Sequence, residues 1–295
     1  MNSITGQVIK CIAGMYTVLT TDKTLITCTA RGKFRKLKLT PMVGDFVEVD
    51  IKAEPALSKI MPRKNMLNRP FVANIDTAVI TMAASEPEFN SGLLDRFLVL
   101  SEYANINPII CINKADLCDI TEKTTPYRQA GYDVIFVSAK EDQGLGVLKE
   151  YMKKGLYVFA GPSGVGKSSI INKLIPDADM QTGELSIRLS RGKHTTRHAE
   201  ILQIPLGGQV IDTPGFSSLE TDSIPKNELA ALFKEFLPYI PKCNFNNCMH
   251  IKEVNCAIKN EVGENIHPLR YESYKNMMLS STKQSKNHKE HINKR

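Results

Sequence analysis

The sequence predicts a chain of several domains: a small N-terminal β-barrel, a central α/β domain and a helical C-terminal segment held by a metal ion. Short β-like runs separated by turn residues occupy the first 65 residues, and apolar strands then alternate with helical segments. Three cysteines and a histidine crowd together between residues 243 and 256. We expect domains at 1–65, 66–220 and 221–280, followed by a basic, disordered tail at 281–295.

Length and composition are those of a globular protein. The chain has 295 residues, of which 42% are hydrophobic, and this length has room for about two ordinary domains. No run approaches the roughly 18 to 20 apolar residues of a membrane span, and the first residues lack the layout of a signal peptide. Seven cysteines are an odd number, which suits a reducing compartment. We expect a monomeric, cytoplasmic protein, and the uneven placement of its net charge of +7 hints at an anionic macromolecular partner.

The barrel is predicted from four β-like runs, which are Gly6–Ile9, Met15–Thr20, Leu25–Thr29 and Asp45–Asp50. A basic stretch lies between the third and fourth runs and contains Arg31, Lys33, Phe34, Arg35, Lys36 and Lys38. Taken alone, such a stretch is most simply a solvated loop. In a five-stranded barrel of the oligonucleotide-binding type, the same residues would instead contact RNA, with Phe34 available to stack on a base.

The pattern changes near residues 62–65, where strands begin to alternate with helices. Three nearly continuous apolar runs predict strands buried on both faces, namely Ile75–Met82, Pro108–Ile112 and Asp133–Val137. An amphipathic helix is predicted at Leu93–Tyr103.

A phosphate-binding loop follows a further apolar run, Leu156–Ala160, and precedes a helix-like segment. It fits G-x-x-x-x-G-K-[ST] and consists of Gly161, Pro162, Ser163, Gly164, Val165, Gly166, Lys167, Ser168 and Ser169. Glycines let consecutive N–H groups point at phosphate oxygens, while Lys167 reaches the β and γ oxygens and Ser168 ligates magnesium. This loop predicts that the protein binds a nucleoside triphosphate.

Two loops at strand ends predict that the base is guanine. The first is the tetrad Asn113, Lys114, Ala115 and Asp116, and the second is the triad Ser138, Ala139 and Lys140. The Asp116 carboxylate accepts from guanine N1–H and the exocyclic amine, which adenine does not offer there. A four-residue match alone would equally fit a helix cap, but both motifs stand at strand ends in a chain that also has a phosphate loop.

Two later segments predict the groups that sense the γ-phosphate. Thr195 and Thr196 end a polar segment at 181–198, as a first switch requires. A hairpin around Gly207 then ends in Asp212-Thr213-Pro214-Gly215, in which Asp212 holds magnesium through water and Gly215 donates its N–H to the γ-phosphate. The predicted magnesium ligands are therefore Ser168, Thr196 and Asp212.

The order of these motifs predicts a circularly permuted G domain. In ordinary small GTPases the phosphate loop comes first, whereas here the two guanine loops precede it. A compact domain tolerates this because its ends lie close and can be joined, here by residues 144–154. The new break falls after Gly215, so the second switch leads directly into the following domain.

That domain carries a predicted zinc site. Its ligands, Cys243, Cys248, His250 and Cys256, have the spacing C-x4-C-x-H-x5-C and form a closed tetrahedral set for one structural Zn²⁺ per chain. Helices are predicted on both sides of the site, at Lys226–Phe236 and Leu269–Leu279.

Together, the small barrel, the permuted G domain with Gly-Lys-His-Thr-Thr at 192–196 and the zinc motif resemble the bacterial ribosome small-subunit-dependent GTPase A family. The resemblance covers essentially the whole chain. It implies an oligonucleotide-binding N-terminal fold, GTP and GDP as ligands with Mg²⁺, and contact with 16S rRNA. It also implies GTP hydrolysis stimulated by the small ribosomal subunit and a role in late maturation of that subunit.

The residue that would position the attacking water cannot be identified from the position after the Asp-x-x-Gly motif, where many GTPases have glutamine. The residue after Gly215 is Phe216, which cannot hydrogen-bond to water, and His194 beside Thr195 is the nearest candidate. The predicted catalytic residues are thus Lys167, His194, Thr195, Thr196, Asp212 and Gly215. Two alternatives remain open: a nucleotide-switched RNA-binding protein with incidental hydrolysis, and a GTPase directed at tRNA or 23S rRNA.

Overall fold

The structure is a computed structural model that describes residues 3–68, 70–175, 199–205, 207–216 and 224–292. Its main feature is one sheet of eleven strands, in which a closed barrel and an α/β sheet are continuous. No helix in the described part of the chain is both long enough and apolar enough to cross a membrane.

The N-terminal domain is a closed five-stranded barrel. Its strands are β1 (Ser3–Ile12), β2 (Met15–Thr20), β3 (Leu25–Ala30), β4 (Phe46–Asp50) and β5 (Ala56–Ile60). Their order is β1-β2-β3-β5-β4, and β1 also pairs with β4, which closes the barrel. Fully buried side chains alternate along the strands and fill the interior; they include Val8, Val18, Val47, Val49 and Leu57. The barrel predicted from the sequence is confirmed.

The basic stretch between β3 and β4 departs from its prediction at Phe34. A short helix, α1 (Lys33–Lys36), turns the Phe34 ring into the barrel core, where only 4% of the residue is exposed. Because a large apolar ring is more stable inside the barrel than in water, Phe34 is a core residue and is not available to stack on a base. Arg31 is likewise engaged, in an ion pair with Asp50.

The central domain is a mainly parallel sheet covered by helices. Its strands are β8 (Thr77–Ala83), β9 (Asn107–Asn113), β10 (Val134–Phe136), β11 (Leu156–Ala160), β12 (Glu200–Gln203) and β13 (Gln209–Phe216). Their order is β10-β9-β8-β11-β13-β12, with only β12 antiparallel to its neighbour β13 among these pairs. The helices are α2 (Ser91–Tyr103), α3 (Thr121–Gln129), α4 (Leu145–Tyr151) and α5 (Lys167–Leu174). Separate apolar clusters form the core on the two faces of the sheet.

The predicted permutation joint is largely helix α4 and leads straight into β11. The joint begins at Gly144, which has φ of +70°, and an added Cβ there would lie 2.1 Å from the Phe136 carbonyl oxygen. Only glycine permits this approach. The joint is therefore a packed part of the domain.

The barrel and the central domain are connected through a hydrogen-bonded junction. Between them lies a hairpin of β6 (Met66–Asn68) and β7 (Phe71–Ala73). The fully buried Asp45 accepts from Arg63 Nε at 2.6 Å and from Arg63 Nη2 at 2.7 Å. Asn74 donates its side-chain amide to the Gly44 carbonyl at 3.0 Å. These bonds hold the junction to the barrel, and the domain limit at residue 65 stays a prediction.

The C-terminal domain is helical but more broken than predicted. It contains α6 (Lys226–Leu229), single 3₁₀ turns at Ala230–Leu232, Lys234–Phe236 and Ile240–Lys242, then α7 (Ala257–Asn260) and α8 (Pro268–Ile292). The single helix predicted at 226–236 is thus one short helix and two turns. The backbone of α8 is helical to Ile292, beyond the Leu269–Leu279 helix that the sequence predicts, and the disordered tail at 281–295 stays a prediction. Once packing has formed the first turns of a helix, polar residues extend it at little cost.

Arg270 anchors the C-terminal domain on the central domain. The side chain is 1% exposed and pairs with Asp95 of α2 and, at 2.6 Å from Nε to Oε1, with Glu235. Its guanidinium also lies over the rings of Phe233 and Tyr127, at 4.7 and 5.3 Å from their centroids. The two carboxylates and the aromatic rings offset much of the cost of burying this cation.

Replacing Arg270 with methionine is expected to cost about 3 to 5 kcal/mol of folding free energy, because Asp95 and Glu235 would stay buried without a cation. Urea unfolding followed by circular dichroism measures this loss. Lys275→Met is the control, since Lys275 forms a more exposed pair with Glu272 on the same helix, and it should cost no more than about 1 kcal/mol. Equal midpoints for the two variants would contradict the anchoring role.

Candidate functional site: nucleotide loops and a Cys3His cluster

The phosphate loop lies between β11 and α5, as predicted. Gly161, Gly164 and Gly166 all have positive φ, at +138°, +79° and +92°. A Cβ on Gly161 would lie 2.1 Å from the Thr81 carbonyl oxygen, so the loop packs directly on the neighbouring strand. The glycines thus bend the backbone toward the first turn of α5, where free N–H groups and the helix dipole favour an anion.

Lys167, the first residue of α5, points back into this loop. Its Nζ donates to the carbonyl oxygens of Gly161 at 2.8 Å and Pro162 at 2.7 Å. Burial lowers the pKa of Lys167 to about 8. Phosphate oxygens offer the ammonium a charged acceptor, which would raise its pKa again, so phosphate binding and protonation of Lys167 favour each other.

Asn113 connects three loops that are distant in the chain. Its Nδ2 donates to the Val165 carbonyl in the phosphate loop at 2.8 Å, and its Oδ1 accepts from the Ala139 N–H at 3.1 Å. A Cβ on Gly166 would lie 2.2 Å from this Nδ2, so the contact requires glycine there. Because Asn113 is 2% exposed, these bonds are shielded from water. The side chain ties both guanine loops to the phosphate loop.

The remaining guanine-loop residues surround the solvent-exposed carboxylate of Asp116. Asp116 is exposed, and its pKa is lowered first by a hydrogen bond from Ser138, with further contributions from Lys140 and Lys114. Lys114 has φ of 59° and donates its ammonium to the Glu86 carbonyl, which holds the aliphatic stem in place. The site thus presents an ionised carboxylate that is able to accept hydrogen bonds from a base. Sequence reasoning missed the Glu86 carbonyl, because no motif marks it.

Asp212 lies next to the phosphate loop, on a strand. The sequence predicts a loop after Ile211; in the structure β13 continues to Phe216, but its parallel pairing with β11 is irregular there, since Val158 lies opposite Ile211 and Ala160 opposite Phe216. Burial, and then the charge of Glu200, raise the pKa of Asp212. A nearby cation would offset both effects, so a divalent metal ion fits this carboxylate. His194, Thr195 and Thr196 lie outside the described residues.

Cys243, Cys248, His250 and Cys256 come together as predicted, with their ligand atoms all within 4.8 Å of one another. His250 Nδ1 lies 3.5 Å from the Cys243 sulfur and 3.3 Å from the Cys256 sulfur, and those two sulfurs are 3.9 Å apart. Tetrahedral zinc with bonds of ~2.0 to 2.3 Å has ligand atoms roughly 3.5 to 3.8 Å apart. The donor set and its spacing therefore fit zinc.

The loop that carries His250 is organised by Glu253, which sequence reasoning missed. Its carboxylate accepts from the backbone N–H groups of Met249 at 2.8 Å, Ile251 at 2.9 Å and Lys252 at 3.0 Å. The hydroxyl of Tyr271 in α8 donates to the His250 carbonyl at 2.7 Å. In the sequence, Glu253 is marked only by its position between the predicted zinc ligands His250 and Cys256.

Comparisons with known proteins agree with this architecture. A family model described as RsgA GTPase matches residues 60–222, and one described as RsgA N-terminal domain matches residues 5–56. A protein of Caldanaerobacter subterraneus named small ribosomal subunit biogenesis GTPase RsgA is 46% identical over 280 residues, covering 93% of this chain and 94% of its own length. The chain belongs to the RsgA GTPase family. As a member of that family, the protein is a GTPase.

A second sequence relative and two solved structures also match nearly the whole chain. A Clostridium botulinum protein with the same name is 44% identical over 276 residues, covering 91% of this chain and 94% of its own. The crystal structure of YloQ, a circularly permuted GTPase, matches with a TM-score of 0.82 and 38% identity over 96% of both chains. YjeQ from Thermotoga maritima also has a TM-score of 0.82, with 33% identity over 95% of this chain and 99% of its own. The permuted order predicted for this RsgA GTPase is confirmed.

Asn113→Ala is expected to lower GDP affinity about tenfold or more. The reason is that the Val165 carbonyl and the Ala139 N–H would be buried without a partner, which loosens both loops. Isothermal titration with GDP measures the change. Asn107→Ala, at the exposed opposite end of the same strand, is the control and should bind like the parent. If both variants bind GDP with equal affinity, Asn113 does not have the proposed role of connecting the loops.

Cys256→Ser is expected to abolish zinc binding and unfold the C-terminal domain, while the central domain, which has its own core, still binds GDP. Elemental analysis of protein purified without chelator, combined with a GDP titration, measures both effects. Cys118→Ser is the control, because Cys118 is exposed and distant in sequence from the cluster. Parent protein free of zinc would contradict the metal assignment.

Proposed function

We propose that this protein is a GTPase that binds the small ribosomal subunit, assists its late maturation and leaves it after hydrolysis. One observation carries the proposal: the match to proteins named small ribosomal subunit biogenesis GTPase extends over 93% of the chain and includes all three parts of the fold. Because the match includes all three domains, it favours a partner that contacts all of them over a partner that contacts the G domain alone. Ribosomes assemble in the cytoplasm, which is where we place the protein; its monomeric state stays a prediction.

We propose the following roles for the residues of the nucleotide site. Asp116 reads the guanine edge, and the backbone of residues 161–166 together with Lys167 holds the phosphates. Ser168 and Asp212 are proposed to hold Mg²⁺, which neutralises charge on the phosphate oxygens when it is bound. The remaining guanine contacts stay as the sequence predicts them, at Ala115, Ser138, Ala139 and Lys140.

His194, Thr195 and Thr196 complete the proposed catalytic set with Gly215. Phe216 cannot orient water, so we propose that His194 does so when the protein is bound to its partner, while Thr196 ligates magnesium. This arrangement predicts slow hydrolysis by the protein alone and faster hydrolysis on the subunit.

The proposed RNA contacts are electrostatic. Lys33, Lys36 and Lys38 are exposed on the barrel, where they can neutralise phosphates, whereas Phe34 is excluded by its burial. A second group of basic residues lies near the C-terminus, at Lys283, Lys286, Lys289, Lys294 and Arg295. Basic groups in the sequence on both sides of the G domain suit a protein that contacts RNA at both ends.

The proposal is tested by measuring the affinity of the protein for separated ribosomal subunits, with GDP and with a non-hydrolysable GTP analogue, at two salt concentrations. We expect tight binding to the small subunit in the GTP form, weak binding in the GDP form and a loss of affinity at higher salt. In the same preparation, His194→Ala should bind as well as the parent but lose most of the stimulated hydrolysis. Preference for the large subunit or for tRNA would refute the proposed target, and equal affinities in both nucleotide states would refute the switch.

A further inference from the structure

A row of three charged residues crosses the boundary between the barrel and the G domain. Lys10 of β1 is the register partner of Glu200 in β12, and Glu200 is the register partner of Asp212 in β13. Side chains directly opposite each other on neighbouring antiparallel strands lie on the same face of the sheet. The barrel residue, the edge-strand residue and the proposed magnesium ligand are therefore side by side.

The barrel supplies the only cation in this row of three, which otherwise consists of two carboxylates. Glu200 and Asp212 are carboxylates directly opposite each other on neighbouring strands, and like charges in that position repel. Lys10 Nζ lies 2.6 Å from Glu200 Oε2, and the two side chains are 35% and 38% exposed. Lys10 thus compensates the carboxylate that faces Asp212.

The backbone of β1 is irregular at this point. The pairing of β1 with β2 shifts between Val8, which faces Val18, and Lys10, which faces Thr17. Such a bulge bends a strand and redirects the side chains that follow. The irregularity occurs immediately before the residue that bonds to the G domain, which is a second, independent sign that Lys10 is directed at Glu200.

We propose that Lys10 is a positioning residue through which the barrel controls the magnesium site: it acts on Asp212 by holding and neutralising Glu200. The inference rests on the proposed role of Asp212 in holding magnesium. When the barrel is displaced from the edge of the sheet, Glu200 loses its cation and the site becomes more negative. Magnesium, and with it the γ-phosphate, is then held more tightly.

The test is a magnesium titration that does not depend on hydrolysis. It measures the free Mg²⁺ concentration that gives half-maximal retention of a fluorescent, non-hydrolysable GTP analogue at low salt. Lys10→Met is expected to lower this concentration about threefold, and Glu200→Gln to raise it about threefold, because the two variants change the charge near the metal in opposite directions. The double variant Lys10→Met/Glu200→Gln should titrate like the parent, because its two changes of charge cancel.

A merely structural role would give a different pattern. If the two residues only hold the domains together, both single variants loosen the site and shift the titration in the same direction, which would overturn the proposal. Lys59→Met is the matched control, because Lys59 forms a cross-strand pair with Glu48 within the barrel at 3.3 Å, and it should leave the titration unchanged.

The Asp212→Asn variant distinguishes a failure of the proposed magnesium role of Asp212 from a failure of the inference about Lys10. If this variant leaves the magnesium dependence unchanged, the proposed role of Asp212 fails and this inference fails with it. If Asp212→Asn weakens magnesium binding while Lys10→Met and Glu200→Gln do not shift the titration, the role of Asp212 stands and only the inference about Lys10 is wrong.

Discussion

The nucleotide site depends on one buried amide. Asn113 bonds the phosphate loop, 52 residues later in the chain, and the second guanine loop, 26 residues later. These bonds do not depend on the order in which the chain visits the three loops. They require only that the ends of β9, β10 and β11 lie at the same edge of one parallel sheet. The permuted chain meets this requirement, because α4 packs against the sheet and delivers β11 to its place between β8 and β13.

Permutation changes what the switch is attached to. In this chain β13 carries Asp212 and ends at Phe216, and the helical domain begins with α6 only ten residues later at Lys226. That domain is held at the far side by Arg270, whose partners include Asp95 on α2 of the G domain. The C-terminal domain is thus connected to the G domain both through the chain that follows β13 and through a buried ion pair.

The barrel is attached to the G domain at two places. Asp45 and Arg63 fix the junction segment, and the continuous sheet brings β1 against the edge strand β12. Edge strands expose unpaired backbone groups, and covering β12 with β1 satisfies some of them. The same contact places Lys10 next to Glu200, which lies opposite Asp212, so the attachment brings a barrel cation close to two carboxylates of the G domain.

The sequence by itself determined the features that depend on short, contiguous residue patterns. The phosphate loop, the two guanine loops, the Cys/His cluster and the unusual order of the motifs were all readable, because each pattern carries its own chemistry within a few residues. The closed barrel and the parallel sheet were readable for a similar reason, since burial imposes a period on each strand. Individual limits were less accurate: β13 runs on through the predicted loop, and α8 continues beyond residue 280.

Only the tertiary structure decided which side chains meet across long separations. The burial of Phe34, the ion pairs of Arg270, the bonds of Asn113 and the row from Lys10 to Asp212 each join segments that no local pattern relates. A basic stretch with a phenylalanine looks the same in sequence whether its ring faces water or the barrel core. The free energy that chooses between them comes from apolar area buried against residues of other strands, and those partners are specified only by the fold.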